Sequence, residues 1–435
     1  MSSTLQKSLA GLVAAAMAGT ALAGGGATPS PVNGPEGRWP VQGIAHLDHV
    51  FLIMMENHAY AQVIGNPNMP FFNRLAKKAN LATNYYAVGH PSLTNYLEIV
   101  GGSNFGVRND NSPEWHASAC APGYVYLEGD ISKICPLSGN GTDAETPAID
   151  TTNEDPGQQV IDVDGTVAFA AAPVVAKTIG DQLVEHGKSW KAYEESLPPT
   201  GADRVNSADG LFSDLNLVSN NTSPATSTYN GTVTFNGTVQ GLYAVKHDPF
   251  AYFASVQSGS NPRNSLANVT GFDGSRGLFA DLARGTLPDL VYIVPNQCND
   301  QHGRSGAAAG PACDYDHEDN GTLTGLNPAL MYQGDVALER IVGAIKQSPA
   351  WNRGTNAIVI VWDENDYSVS PTTNQVALLV DSNAQGWGAD GGQQSSQFYT
   401  AFSLLKSMES GFGLPCLNHA CDSNVPVMSD LFPSH

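Results

Sequence analysis

Apolar residues fall along this chain in short unbroken runs that alternate with stretches of helical period. Val50-Phe51-Leu52-Ile53-Met54-Met55 is continuous, the pattern of a strand buried on both faces of a parallel sheet. It stops at Glu56-Asn57-His58. A helix is predicted next, with Asn68 as N-cap, Pro70 in the first turn, and Phe71, Leu75 and Ala79 on one face. Val174, Ile179, Leu183 and Val184 mark a second amphipathic helix, closed by Gly187 and followed by a strand from Ser189 to Tyr193. Leu290 to Val294 and Ala357 to Trp362 are further apolar strands. The segment Asp335 to Lys346, with Val336, Ile341, Val342 and Ile345, supplies a helix before the last of them. Such alternation predicts an α/β layer fold with a mainly parallel central sheet.

Two segments break the rhythm. Residues 108 to 165 are polar, and residues 197 to 240 are rich in Asn, Ser, Thr and Gly, so both are expected as loop insertions over the sheet edge. At the start, Lys7 precedes an apolar run from Leu9 to Ala23 that ends in Ala21-Leu22-Ala23. The run is short for a membrane span and has the small-residue ending of a secretory signal, so residues 1–23 are expected to be a signal peptide. Residues 24–45 are Gly/Pro-rich and are expected to form a flexible lead-in. Residues 46–435 are then one catalytic domain, in a protein that is secreted or periplasmic and has no stable membrane insertion.

Charge narrows the partners. The chain of 435 residues carries 41 acidic against 20 basic side chains, a formal charge of −21. So few cations cannot neutralise a run of phosphates, which makes nucleic acid and anionic membrane surfaces poor candidates as partners. The same field repels anionic small molecules unless a local cation overrides it, a role that a bound metal can fill. Hydrophobic residues make up 41% of the chain, enough for a large core. The six cysteines fall as near neighbours, Cys120 with Cys135, Cys298 with Cys313, and Cys416 with Cys421. In an exported protein that spacing favours three local disulfides, and no Cys-x-x-Cys supports a zinc site.

The chemistry gathers at strand tips. Glu56-Asn57-His58, Asn299-Asp300-Gln301-His302 and Asp363-Glu364-Asn365-Asp366 each follow an apolar run. In open α/β sheets the carboxyl ends of the strands face one edge, where separated clusters can meet. Oxygen donors with some imidazole suit a divalent cation such as Mg, Ca, Mn or Zn, its identity open. A fourth element, Gly89-His90-Pro91-Ser92-Leu93-Thr94-Asn95-Tyr96, leads into a helical run that halts at Gly101-Gly102. Ser92 falls at the helix start, where free N–H groups can hold an anion, although a serine there is far more often only a cap. Asn95, three residues on, can share that face.

These residues also resemble a known family. Met55-Glu56-Asn57-His58, His90-Pro91-Ser92-Leu93-Thr94-Asn95-Tyr96, Lys246-His247-Asp248-Pro249-Phe250, Pro295-Asn296-Gln297-Cys298-Asn299-Asp300-Gln301-His302 and Trp362-Asp363-Glu364-Asn365-Asp366 look like the motifs of the phosphoesterase family, in the same order. That family holds secreted acid phosphatases and phospholipases C. The resemblance implies an alkaline-phosphatase-like three-layer sandwich and a metal held by Glu56, Asn57, Ser92, Asp363 and Glu364. It implies Ser92 as nucleophile and Asn95 as a phosphoryl contact. It makes His247 and His302 phosphoryl-binding or proton-donating groups, with Asp300 orienting one of them. His58 and His90 flank the motifs without a definite role, and His317 lies in an acidic stretch that reads as a solvated loop. Many relatives carry a histidine just before the closing helix, where this chain has Thr400-Ala401-Phe402-Ser403, so a one-metal site is expected.

The reading is a phosphate monoesterase working through a phosphoserine. A phospholipase C-type diesterase acting on phospholipid head groups is the rival on the same core; the absence of a recognisable lipid-docking domain favours the monoesterase. An ordinary serine hydrolase lacks its Gly-x-Ser-x-Gly elbow. A secreted, metal-stabilised binding protein, using the Asn/Thr-rich segment as its contact region, is the alternative outside enzymes.

Overall fold

The computed structural model describes residues 36–105, 110, 149–150, 176–197, 242–257, 259–303, 313–316, 322–323, 325–366, 374–387 and 392–433. Among these, an eight-stranded sheet is built around His49–Met55. Asn356–Trp362 lies parallel to it on one side and Leu290–Val294 parallel on the other. Trp190–Glu194 and then Val269–Thr270 extend the sheet in the same sense. On the opposite flank, Leu378–Ser382 is antiparallel to both Asn356–Trp362 and Asn80–Ala82, and Gln394–Ser395 closes the edge. The fold is therefore α/β with a mixed, mainly parallel sheet.

Val50 to Met55 are fully buried, and each large side chain removed from water contributes about 1.5–3 kcal/mol. Strand alternation sends them to two faces. Trp362, in register with Met55, meets the edge of Phe72 in the Pro70–Leu75 helix, and that helix packs on Pro328–Gln347. Tyr292, in register with Leu52, points the other way and meets Phe250 edge-on. The segment carrying Phe250 packs on the Ser92–Gly101 helix, which lies against Ala401–Phe412. Helices thus cover both faces, and both faces are apolar because neither meets water.

Several expectations change in detail. The lead-in expected over 24–45 is structured in part: Glu36–Pro40 is a strand, antiparallel to Pro415–Leu417. Asn68 is not the cap of its helix; Met69 holds that position, and the free N–H groups are taken by Asp335 from a distant helix. The helix expected from Asp335 begins earlier, at Pro328, because Asn327 accepts from the N–H groups of Ala329 and Leu330. The disulfides Cys298–Cys313 and Cys416–Cys421 are present. Residues 1–23, the Cys120–Cys135 pair, His317 and nearly all of both insertions lie outside the described residues.

Candidate active site

The sheet register brings the strand tips together. Met55 sits opposite Trp362, so Glu56 and Asp363 leave neighbouring parallel strands side by side. The Asp363 N–H donates to the Met55 carbonyl at 3.0 Å, and the Glu56 N–H to the Asp300 carbonyl at 2.8 Å. Asp363 also accepts from the Asn57 N–H at 3.2 Å. Three distant segments are thereby fixed backbone to backbone at one sheet edge.

Onto this edge comes the Ser92–Gly101 helix, capped by Pro91 and ended by Gly102, whose φ of 75° suits a residue without Cβ. Ser92 Oγ lies 3.3 Å from Glu56 Oε2 and 3.2 Å from Glu364 Oε1. Residues one turn on share its face. Asn95 Nδ2 donates to Glu364 Oε2 at 3.1 Å and to the Gly89 carbonyl at 2.8 Å, while its oxygen accepts from the Val88 and Gly89 N–H groups. In the structure its amide therefore holds Glu364 and the preceding loop. Tyr96 donates its hydroxyl to Glu56 Oε1. His90 Nδ1 stands 2.8 Å from Glu364 Oε2.

The imidazoles close the remaining side. His247 Nε2 is 3.1 Å from Glu56 Oε1, and its Nδ1 is 3.4 Å from Asp300 Oδ2. Its ring stacks on Tyr96, with centroids 5.2 Å apart. Asp300 also accepts from the His302 N–H at 2.7 Å. His302 Nδ1 is 2.8 Å from the Gly303 carbonyl, which leaves Nε2 turned to the site. Glu56, His247 and His302 each offer one ligand atom within 4.8 Å of the others. Lys246 Nζ lies 3.5 Å from His302 Nε2 and 2.7 Å from Asp110 Oδ2, and Asp110 also accepts from the Leu93 N–H at 3.0 Å.

Glu56, Asp300, Asp363 and Glu364 are all buried together. Burial pushes Glu56 up to about 8, against the opposing pull of Lys246 and the Tyr96 hydroxyl. Burial, then repulsion from Glu56, raises Asp300 and Asp363 far above the carboxylate range. Glu364 is also raised by burial, with His90 opposing. His247 is driven down, first by burial and then by Lys246 and His302, so it stays neutral. The cation beside these carboxyls, Lys246, is itself paired with Asp110, and among the described residues Asp363 Oδ2 is buried without a hydrogen-bond partner. Oxygen-rich and holding such a carboxylate oxygen, the cluster fits a hard divalent cation.

The structure thus gathers Glu56, Asn57, Ser92, Asn95, His247, Asp300, His302, Asp363 and Glu364 in one place. His58 turns away: its Nε2 meets Asp316 at 2.6 Å and its Nδ1 the Glu56 carbonyl. Sequence reasoning assigned no role to Tyr96, Lys246 or Asp110. Tyr96 was legible from its helical spacing to Ser92; Asp110 carries no local signal.

The chain is also similar to known proteins. The chain is 23% identical over 389 residues to an acid phosphatase of Aspergillus fumigatus, covering 88% of this chain and 59% of that protein. The chain therefore spans less than two thirds of that relative's length. A phosphatidylinositol-3-phosphatase of Mycobacterium tuberculosis is 22% identical over 387 residues, covering 88% of this chain and 82% of its own. Among solved structures, an alkaline phosphatase superfamily protein from Vibrio parahaemolyticus superposes with a TM-score of 0.42 at 12% identity, over 90% of this chain and 74% of that one. Residues 66–314 match the phosphoesterase family, a span of more than half the chain that includes Ser92, Asn95, His247, Asp300 and His302, and the chain belongs to that family.

Proposed function

We propose that this chain is a metal-dependent phosphate monoesterase of the acid phosphatase kind, built on an alkaline-phosphatase-like core and working through a phosphoserine at Ser92. The observation that carries this is the Ser92 hydroxyl, at a helix start and within 3.3 Å of two buried carboxylates from different strand tips. Glu56, Asn57, Ser92, Asp363 and Glu364 would hold a divalent cation. When bound, the cation supplies charge neutralisation for the phosphoryl oxygens and favours the ionised Ser92 oxygen.

The chain's own groups do the rest. With its hydroxyl proton lost to solvent, Ser92 attacks phosphorus, forming the Ser92 O–P bond as the bond to the alcohol oxygen breaks; water then attacks the same phosphorus, that O–P bond breaks, phosphate leaves and Ser92 regains a proton. The helix start itself is occupied: the Leu93 N–H donates to Asp110 at 3.0 Å and the Thr94 N–H to the Pro91 carbonyl at 3.1 Å. Asn95 keeps Glu364 in place. His302, its Nδ1 engaged by the Gly303 carbonyl, delivers a proton from Nε2 to the departing alkoxide and later takes one from the attacking water. Asp300 and the Tyr96 ring hold His247 against Glu56. A histidine that works protonated favours mildly acidic operation.

Both disulfides among the described residues support an oxidising, extracytoplasmic setting. No helix among those residues is long and apolar enough to cross a membrane. The test is release of p-nitrophenol from p-nitrophenyl phosphate and from its bis-ester by purified protein with added Mg, Ca, Mn or Zn, together with mass analysis of acid-quenched enzyme. Faster monoester turnover and phosphate on the Ser92 peptide are expected. Preference for the diester would return the reading to the phospholipase C kind, and a phosphate on any other residue would remove Ser92 as nucleophile.

A further inference from the structure

The site asks a question that its floor cannot answer. Glu56, Asp300, Asp363 and Glu364 form a buried acidic base, and a phosphate monoester arrives as a dianion. With one divalent cation on it, that buried floor still offers a dianion little positive charge of its own, so a further cation on the open side would hold the substrate's second negative charge. The triad of Glu56, His247 and His302 has ligand spacing for an ion. Yet an ammonium already stands against it, because Lys246 Nζ is 3.5 Å from His302 Nε2.

We propose that Lys246 is the fixed cation that selects dianionic phosphate monoesters here, doing at the Glu56–His247–His302 edge what a second metal ion would otherwise do. This rests on the monoesterase reading above. Lys246 is placed for it. Its side chain is 18% exposed, whereas those of Glu56, Asp300 and Glu364 are between 0 and 3% exposed, so the ammonium stands at the rim above a buried floor. Its position is locked to the nucleophile: Asp110 takes the ammonium on one oxygen and the N–H of Leu93, next to Ser92, on the other. A charged non-bridging oxygen of a monoester meets the ammonium directly. In a diester a second alkoxy group replaces one such oxygen, the charge falls by one, and Lys246 contributes less.

The experiment compares wild type with Lys246→Met, which keeps the bulk of the stem, and Lys246→Arg, which keeps the charge. Loss of Lys246 in the Met variant is expected to lower kcat/KM for p-nitrophenyl phosphate roughly 100-fold. Inhibition by inorganic phosphate is expected to weaken at least about tenfold, with bis-p-nitrophenyl phosphate turnover changed less than about threefold. The Arg variant is expected to recover most of the monoester rate. Elemental analysis is expected to find a single divalent ion per chain in wild type. Equal losses on both esters would mean that Lys246 and Asp110 serve only the local structure. Unchanged phosphate inhibition, or a second bound ion in the wild type, would overturn the assignment. A wild type inactive on the monoester is a separate result, read first: it ends the monoesterase reading and this inference with it.

Discussion

Ser92 and Glu364 are separated by 272 residues, yet the serine hydroxyl lies 3.2 Å from the glutamate's Oε1. A serine acting only as a helix cap would turn its oxygen back to its own helix's N–H groups. Here the cap is Pro91, which makes no side-chain hydrogen bond. Ser92→Ala is therefore expected to leave helix and fold intact while lowering kcat on p-nitrophenyl phosphate by about 10⁴-fold or more. Circular dichroism and steady-state kinetics on the same preparation check it. A folded variant with wild-type turnover would falsify the covalent route.

Asp363 carries the metal prediction. One oxygen accepts from the Asn57 N–H, and the other has no hydrogen-bond partner among the described residues. Asp363→Asn removes a charge from a repulsive cluster while keeping the shape. The metal-free variant is expected to be at least as thermostable as metal-free wild type, because the folded chain no longer has to keep a proton on a buried acid that the unfolded chain releases. Its affinity for added divalent ion is expected to fall about 10- to 100-fold, and chelation is expected to silence the wild type. Melting curves with and without metal read both effects. A variant that loses stability without metal and keeps full metal-induced stabilisation would contradict the assignment.

Glu195 gives a pH dependence away from the metal ligands. It accepts from the Asn296 N–H at 2.9 Å and Asn299 Nδ2 at 2.8 Å, but burial outweighs these bonds and lifts it to about 7 from an ordinary 4.5. Between those values the folded chain keeps a proton that the unfolded chain has lost, so stability falls as pH rises through that window. Below it both states are protonated and the contribution is fully present; above it both are ionised and it is gone. Asp335, raised by burial from 3.8 to about 6, acts in the same direction. Glu195→Gln is expected to flatten the decline of unfolding free energy between pH 4.5 and 7, measured by chemical denaturation in chelator. An unchanged slope would show that Glu195 does not carry it.

The parts legible in the sequence were those with a local physical signature. Unbroken apolar runs marked His49–Met55, Leu290–Val294 and Asn356–Trp362 because strands covered on both faces have no polar side to show. Their polar tips marked the site because parallel strands end at one edge. Leu378–Ser382, antiparallel within the sheet, was not read, since an apolar run says nothing of its direction. Glu36–Pro40 was missed for the opposite reason: Gly and Pro read as loop, and its pairing with Pro415–Leu417 is set by a segment far away in sequence. Lys246 and Asp110 meet across 136 residues, and no periodicity encodes such a pair.

Asp335 shows how distant support of this kind can be measured. The Pro70–Leu75 helix is short, and its Pro70 has no N–H to offer. The next N–H groups, of Phe71 and Phe72, donate to the two Asp335 oxygens at 2.8 and 2.7 Å, so a side chain from the Pro328–Gln347 helix serves as the missing cap. Phe72 in turn meets Trp362, the residue before Asp363, with ring centroids 4.9 Å apart. Asp335→Ala leaves both N–H groups without an acceptor and is expected to cost about 2–4 kcal/mol of unfolding free energy. Asp335→Asn keeps one acceptor oxygen and is expected to cost less. Because folded Asp335 takes up a proton near pH 6 and the unfolded chain only near 3.8, wild type gains stability as pH falls through that window and Asp335→Asn does not, so the gap between them is expected to widen there. The check is the urea midpoint at constant slope; equal midpoints for wild type and Asp335→Ala at neutral pH would mean that the helix start finds its acceptors elsewhere.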